Sequence, residues 1–227
     1  MKDSLSQPKQ TFLNLADEKR AMIEEALVGE FATKGYQKAS LNVVVKQLNI
    51  AKGSLYQYFD NKESIFLYVF DCFTQLIKKS VEKTENQDAV HLNFWQALRS
   101  VMYAGIEFIQ RYPLYFQLYL QVLHEENIPQ RDELIVRVRL FSKDYFGPMV
   151  EACQRQGVFV QTPVATIIFI IDAVMDRFFQ TFASKYLVRE PGINQKWRSA
   201  IGPEIEHIIE TLKFGIASRS NRSADDL

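Results

Sequence analysis

The chain has 227 residues, 47% apolar and 24% charged, a balance that excludes collagenous, low-complexity and wholly disordered readings and allows a sizeable core. Lys plus Arg equals Asp plus Glu at 27 each, so bulk charge carries no attraction for nucleic acid and any DNA-binding patch must be local. Cys72 and Cys153 stand far apart without CxxC spacing, which points to a reducing cytoplasm and gives no disulfide framework and no metal site. The N-terminal sequence lacks the apolar stretch of a signal peptide. The strongest apolar run, Val164 to Ile171, falls short of the about 20 residues that span a bilayer, so no membrane partner is expected.

Apolar spacing is helical nearly throughout and no alternating pattern competes with it, so the expected fold is all-α. Residues 1–13 read as a polar N-terminal arm. A helix follows, with Asn14 and Asp17 as capping or first-turn residues and Ile23, Leu27 and Phe31 on its buried face. Gly35 should end it, because a residue without Cβ takes the positive φ that closes helices. The next stretch, GYQKASLNVVVKQLNIAKGSLYQYFDNK, reads as a helix-turn-helix. Ser40 caps a short helix with Leu41, Val44, Val45 and Leu48 on one side. Asn49-Ile50 supplies the turn, since asparagine tolerates positive φ. A second short helix runs from about Ala51 to Phe59, anchored by Leu55 and Phe59. It presents Lys52, Ser54, Tyr56, Gln57 and Tyr58, whose ammonium, hydroxyl and amide groups suit phosphates and base edges. From Phe31 to Lys62 five lysines face one acid, Asp60, a local charge of +4, whereas Asp17 to Glu30 holds five acids against Lys19 and Arg20.

Asp60 or Asn61 caps a long helix to about Val81, with Ile65, Phe66, Val69, Phe70, Phe73, Leu76 and Ile77 on one stripe. Lys83 to Asp88 reads as a loop. Breaks near Pro113, Pro129, Gly157, Pro191 and Pro203 divide the remainder into five helices, and Gly147-Pro148 should kink the third. Most of the chain's 17 Phe, 10 Tyr and 2 Trp lie in this body, where they either fill a bundle or line a cavity. Asp172 and Asp176 share a helix face at i, i+4 and need a partner, either a basic residue such as Arg137 or Arg139, water, or a cationic or hydrogen-bonding ligand. His91, His124 and His207 are isolated, and no GxSxG, P-loop, dinucleotide fingerprint or HExxH is present, so the chain does not read as an enzyme and no cofactor is expected.

The stretch from about Leu13 to Val69 resembles the DNA-binding domain of TetR-family transcriptional regulators. Phe31, Gly35-Tyr36, Ser40, Ile50, Lys52-Gly53, Leu55-Tyr56, Tyr58-Phe59, Asn61-Lys62-Glu63 and Phe66 carry the likeness. Asn49 stands where glycine is usual, and Val45 where alanine is. The resemblance implies a helix-turn-helix domain at 14–61, a helical effector-binding and dimerisation domain at 62–218, and a polar tail at 219–227. It implies DNA contacts by Lys52, Gly53, Ser54, Tyr56, Gln57 and Tyr58, with Ser40, Asn42 and Lys62 on phosphates. Tyr56 is equally readable as a core residue, while the Gln57 amide can pair bidentately with adenine.

The implied protein is a homodimeric repressor of a palindromic operator, released by a small apolar or aromatic effector through the long helix as lever. Trp95, Tyr103, Phe116, Tyr119, Phe141, Tyr145, Asp172 and Phe178 are the candidate effector contacts. Dimerisation is expected through Pro163 to Tyr186 and Pro203 to Ala217, with Val164, Ile167, Ile168, Ile171, Val174 and Phe178 facing Ile205, Ile208, Ile209, Leu212 and Ile216. A helical protein-interaction adaptor is the alternative, and it leaves the reading-helix pattern without a reason.

Overall fold

The computed structural model describes residues 5–51, 53–88, 93–184 and 196–215. All regular elements among the described residues are helices, as the periodicity predicts. In chain order they are α1 (Gln10–Leu13), α2 (Asp17–Lys38), α3 (Leu41–Gln47), α4 (Ser54–Tyr58), α5 (Lys62–Asp88), α6 (Phe94–Arg111), α7 (Pro113–His124), α8 (Arg131–Arg155), α9 (Val164–Phe182) and α10 (Lys196–Phe214). The chain divides into two compact units, Met1–Ser80 with Phe108–Asp144, and Val81–Glu107 with Tyr145–Leu227.

In the first unit, α2 packs along α7 and against α3, and α1 packs on α4. The core is aromatic: Phe12, Phe31, Phe59, Phe66, Phe70 and Phe73 are all fully buried. Phe31 meets Phe66 edge-on with ring centroids 5.2 Å apart, and Phe73 stacks on Tyr119 at 5.5 Å. Gly35 breaks α2 as expected, with φ 70° and ψ 172°, a region open essentially to glycine alone. Asn14 does not start α2. It closes α1, accepting a 2.8 Å bond from the Gln10 amide, and Ala16 takes the N-cap position, while Asp17 sits in the first turn and pairs with Arg20. Asn61 does cap α5, by a reciprocal pair in which Ser64 N–H donates to Asn61 Oδ1 at 2.8 Å and Asn61 N–H to Ser64 Oγ at 3.1 Å. The expected loop at Lys83 to Asp88 is helical instead. Nothing there breaks the backbone, since the stretch has neither glycine nor proline, and polar composition alone does not stop a helix.

Cys72 is half-buried on α5, where burial first and the Glu24 charge second push its thiol up to about 12 from 9.0. The unfolded thiol ionises near pH 9 and the folded one does not, so this contribution is intact below pH 9 and lost as pH rises from there to about 12. We expect a thiol reagent at pH 8 to label Cys153 well before Cys72, and Cys72→Val to flatten part of the alkaline loss of stability; equal labelling rates would contradict this burial.

In the second unit, Phe94, Trp95, Phe146 and Phe159 pack as a ring cluster, with Phe94 4.9 Å from Phe159 and 5.7 Å from Phe146. The Arg99 guanidinium holds both Glu206 oxygens at 2.6 Å, joining α6 to α10 and drawing the Glu206 carboxyl below its usual range. Gly157, at φ 70°, closes α8 as predicted. One proline expectation needs correction: α10 begins at Lys196 and runs through Pro203, where Ile201, Ile205 and Ile209 keep one buried side across the missing backbone bond. The helix α8 contains Pro148, between buried Phe146 and Val150. The expected dimer faces are also partly consumed inside the unit, since Ile168, Ile171, Phe178, Ile205 and Ile209 are buried. The large apolar residues of α9 left exposed are Phe169, at 68%, and Ile170. Tyr186, Pro191, Ile216 and Ala217 lie outside the described residues.

Candidate nucleic-acid interface

The helix-turn-helix is built from α3, a tight turn and α4. Val44 and Val45 bury one side of α3, leaving Asn42, Val43, Lys46 and Gln47 exposed. Asn49 takes φ 51°, as the turn demands, and Ile50 N–H closes it onto the Val45 carbonyl at 3.1 Å. The helix α4 starts at Ser54, three residues later than expected, and is anchored by buried Leu55 and Tyr58. Tyr56 and Gln57 are consequently exposed, Tyr56 at 48%, which removes its reading as a core residue. Tyr58 takes that role: it is buried and its ring lies 5.7 Å from Phe12, so little of it faces outward. Gly53 has an ordinary φ of −70°, and a Cβ added there would meet nothing within 4 Å, so the chain's own packing does not require glycine. Ser54 is half-buried, and Lys52 lies outside the described residues.

Ser40 stands at the N-cap of α3 without a side-chain capping bond, and its N–H donates to Glu30 Oε1 at 2.8 Å. Lys62 is a more committed group than its sequence position suggests. Its Nζ donates to the carbonyls of Ala39 at 2.7 Å and Gln37 at 3.2 Å and sits 5.0 Å from the Tyr36 ring centroid. Burial lowers its pKa, against the opposing pull of Glu125 and Glu30. An ammonium has three donors, and these two carbonyls engage two of them.

Three features at this interface escaped the sequence reading. The Glu125 carboxylate, just beyond α7, accepts the N–H groups of Tyr36 at 2.8 Å and Gln37 at 2.9 Å and thereby restarts α2 after Gly35. Asp71 is 3% exposed and accepts the Leu5 N–H at 2.5 Å and the Ser6 N–H at 3.4 Å, with Arg137 3.6 Å away. The N-terminal segment is bonded to the end of α4, through Lys9 and Thr11. A single acid inside the apolar stripe VFDCF was a signal for Asp71; Glu125 gave none.

The candidate effector residues fall into both units. Trp95, Tyr103, Tyr145 and Asp172 are half-buried and Phe178 is buried in the second unit, while Phe116 and Tyr119 are buried and Phe141 half-buried in the first. The Arg137 guanidinium, suggested above as a partner for Asp172 or Asp176, lies against Asp71 and Glu133.

Residues 23–69 match the family model described as bacterial regulatory proteins, tetR family. The matched stretch contains α3, the turn, α4 and the exposed Tyr56 and Gln57. Over this segment the chain is similar to regulators of the tetR family. It is 28% identical over 102 residues to the regulator YhgD of Bacillus subtilis, a match that covers 45% of this chain and 52%, about half, of the relative. It is 24% identical over 180 residues to the probable acrEF/envCD operon repressor of Escherichia coli, covering 76% of this chain and 78% of the relative. A TetR-family regulator from Chloroflexus aurantiacus superposes with a TM-score of 0.73 at 28% identity, over 92% of this chain and 97% of its own. The fold shared with this family member is therefore the whole helical architecture and not the reading head alone.

Proposed function

We propose that the chain is a repressor that binds a two-fold symmetric operator as a homodimer and is released by a small apolar or aromatic effector. One observation carries the DNA-binding part: Leu55 and Tyr58 bury one side of α4 while Tyr56 and Gln57 stand exposed beside it, in the segment that matches the family. In this reading Gln57 reads a base, while Gly53, Ser54, Tyr56, Ser40, Asn42 and the remaining donor of Lys62 contact backbone, with Lys52 joining them. Gly53 fits a close approach of the DNA backbone, since no internal contact explains it. Tyr58 is proposed as a packing residue of the interface and not a contact. The boundaries 14–61 for DNA binding and 62–218 for sensing and dimerisation belong to the same proposal.

Selection of duplexes from a random library by the full chain tests it. A two-fold motif is the expected product, with half-sites about 10–10.5 base pairs apart or a multiple. Gln57→Ala should then relax preference at one position of each half-site at a cost of about 1–3 kcal/mol. A specificity profile identical to wild type would remove Gln57 as a base reader.

For the dimer, the exposed Phe169 and Ile170 on α9 support a contact face displaced around that helix from the one the sequence suggested. Phe169→Glu places a charge on it. The variant is expected to run as a monomer by light scattering at a micromolar concentration where wild type is a dimer; an unchanged dimer would move the interface elsewhere. For the effector, the ring cluster around Trp95 supports an apolar or aromatic class, and quenching of Trp95 fluorescence is the direct readout.

A further inference from the structure

The helix α4 is five residues long, too short to hold its own last carbonyls, because the final four C=O groups of any α-helix lack intrahelical partners. In this chain the N-terminal segment takes them. Lys9 N–H donates to the Tyr58 carbonyl at 2.8 Å. Lys9 Nζ donates to the Tyr56 carbonyl at 3.0 Å and the Phe59 carbonyl at 3.4 Å, and it pairs with Asp60 at 2.9 Å. Thr11 Oγ1 donates to the Gln57 carbonyl. Four consecutive carbonyls from Tyr56 to Phe59 are thus capped from a segment nearly fifty residues upstream, with a cation where the helix dipole favours one.

The segment is itself held at three points. Phe12 is fully buried, with its ring 5.0 Å from Phe59 and 5.5 Å from Tyr68. Arg20 Nη1 holds the Leu13 carbonyl at 2.8 Å, and Asp71 holds the N–H groups of Leu5 and Ser6. Residues 5–13, which read from sequence as part of a polar arm, therefore form a brace with one anchor in the core and polar groups on the reading helix.

We propose that Lys9 and Thr11 are positioning residues of the DNA interface, which fix the backbone of Tyr56 and Gln57 so that those side chains meet the major groove in one register. The proposal rests on the DNA-binding reading above. It concerns presentation and not bulk stability: the Lys9 Nζ bond to Tyr56 and the Thr11 bond to Gln57 are solvent-exposed. Exposed bonds of this kind contribute little to global folding, yet they act on the two outward residues of α4.

The test compares full-length wild type with Thr11→Val, Thr11→Ser and Lys9→Ala, using the duplex that wild type enriches from a random library and a scrambled duplex of the same length. We expect Thr11→Val and Lys9→Ala each to lose about tenfold in affinity for the enriched duplex, the equivalent of roughly one hydrogen bond, with no loss on the scrambled one. Thr11→Ser, which keeps the hydroxyl, should bind as wild type. The salt dependence of Lys9→Ala should match wild type, and amide exchange in Thr11→Val should accelerate between Ser54 and Asp60 alone. A salt slope reduced by about one in Lys9→Ala, with equal losses on both duplexes, would make Lys9 a phosphate contact and overturn its positioning role. Unchanged exchange in α4 of Thr11→Val would overturn the brace. A wild type that enriches no duplex would end the DNA-binding reading instead, and the exchange measurement would still decide whether the segment holds α4.

Discussion

Gly35→Ala should cost about 3–5 kcal/mol and abolish the native presentation of the reading head. Two independent terms add. Any Cβ residue at φ 70° and ψ 172° sits in a region that costs of order 1–3 kcal/mol. The new Cβ would also lie 2.5 Å from Glu125 Oε2, forcing away the carboxylate that accepts the Tyr36 and Gln37 N–H groups. Charge-assisted bonds of that kind contribute roughly 1.5–3 kcal/mol. Urea unfolding followed by circular dichroism measures the loss, and a change under about 1 kcal/mol would show that the break in α2 relaxes freely. Glu125→Ala separates the terms, because it incurs the loss of the two carboxylate bonds without the backbone strain.

Asp71→Ala should cost about 3 kcal/mol, within the range for breaking a buried ion pair from one side. The carboxylate is nearly inaccessible, receives two backbone N–H groups from Leu5 and Ser6 and faces Arg137, so its removal strips acceptor and charge from a dry site. Asp71→Asn keeps an acceptor oxygen and should lose less. The same unfolding experiment ranks the two variants. Equal losses would assign the whole effect to the charge, and no loss in either would mean that the N-terminal segment is not held there.

How far the sequence made this structure legible follows from the range of the interactions. Gly35, Asn49 and Asn61 act on their own backbone or within three residues, and each took the role its chemistry implies. The helical character of the body was equally local. The failures have longer range or involve competition. Pro203 was read as a helix start because it lacks a donor, but the buried spacing of Ile201, Ile205 and Ile209 outweighs one missing bond. Of the apolar α9 face, Ile168, Ile171 and Phe178 are buried within the unit, while Val164, Ile167 and Val174 are half-buried. Lys9 and Thr11 were unreadable because they bind carbonyls, which every residue has, so no pattern in the partner segment marks them. Phe12, an aromatic in an otherwise polar stretch, was the only trace. Tyr58 reads from sequence as a DNA contact and Tyr56 as equally contact or core, yet Tyr58 is buried and Tyr56 exposed, because inside and outside along α4 are settled by packing on the distant Phe12.

The most direct test of sequence-specific DNA recognition through α4 is the affinity of the full chain for its enriched duplex against a scrambled one, measured between about 50 and 200 mM salt. Both should weaken as salt rises, through counterion release from phosphates. The account predicts a preference for the enriched duplex of at least about 10³ that persists at the higher salt, because base readout does not depend on counterions. Equal affinity for the two duplexes at either salt would mean that the chain holds DNA by charge alone and would contradict it.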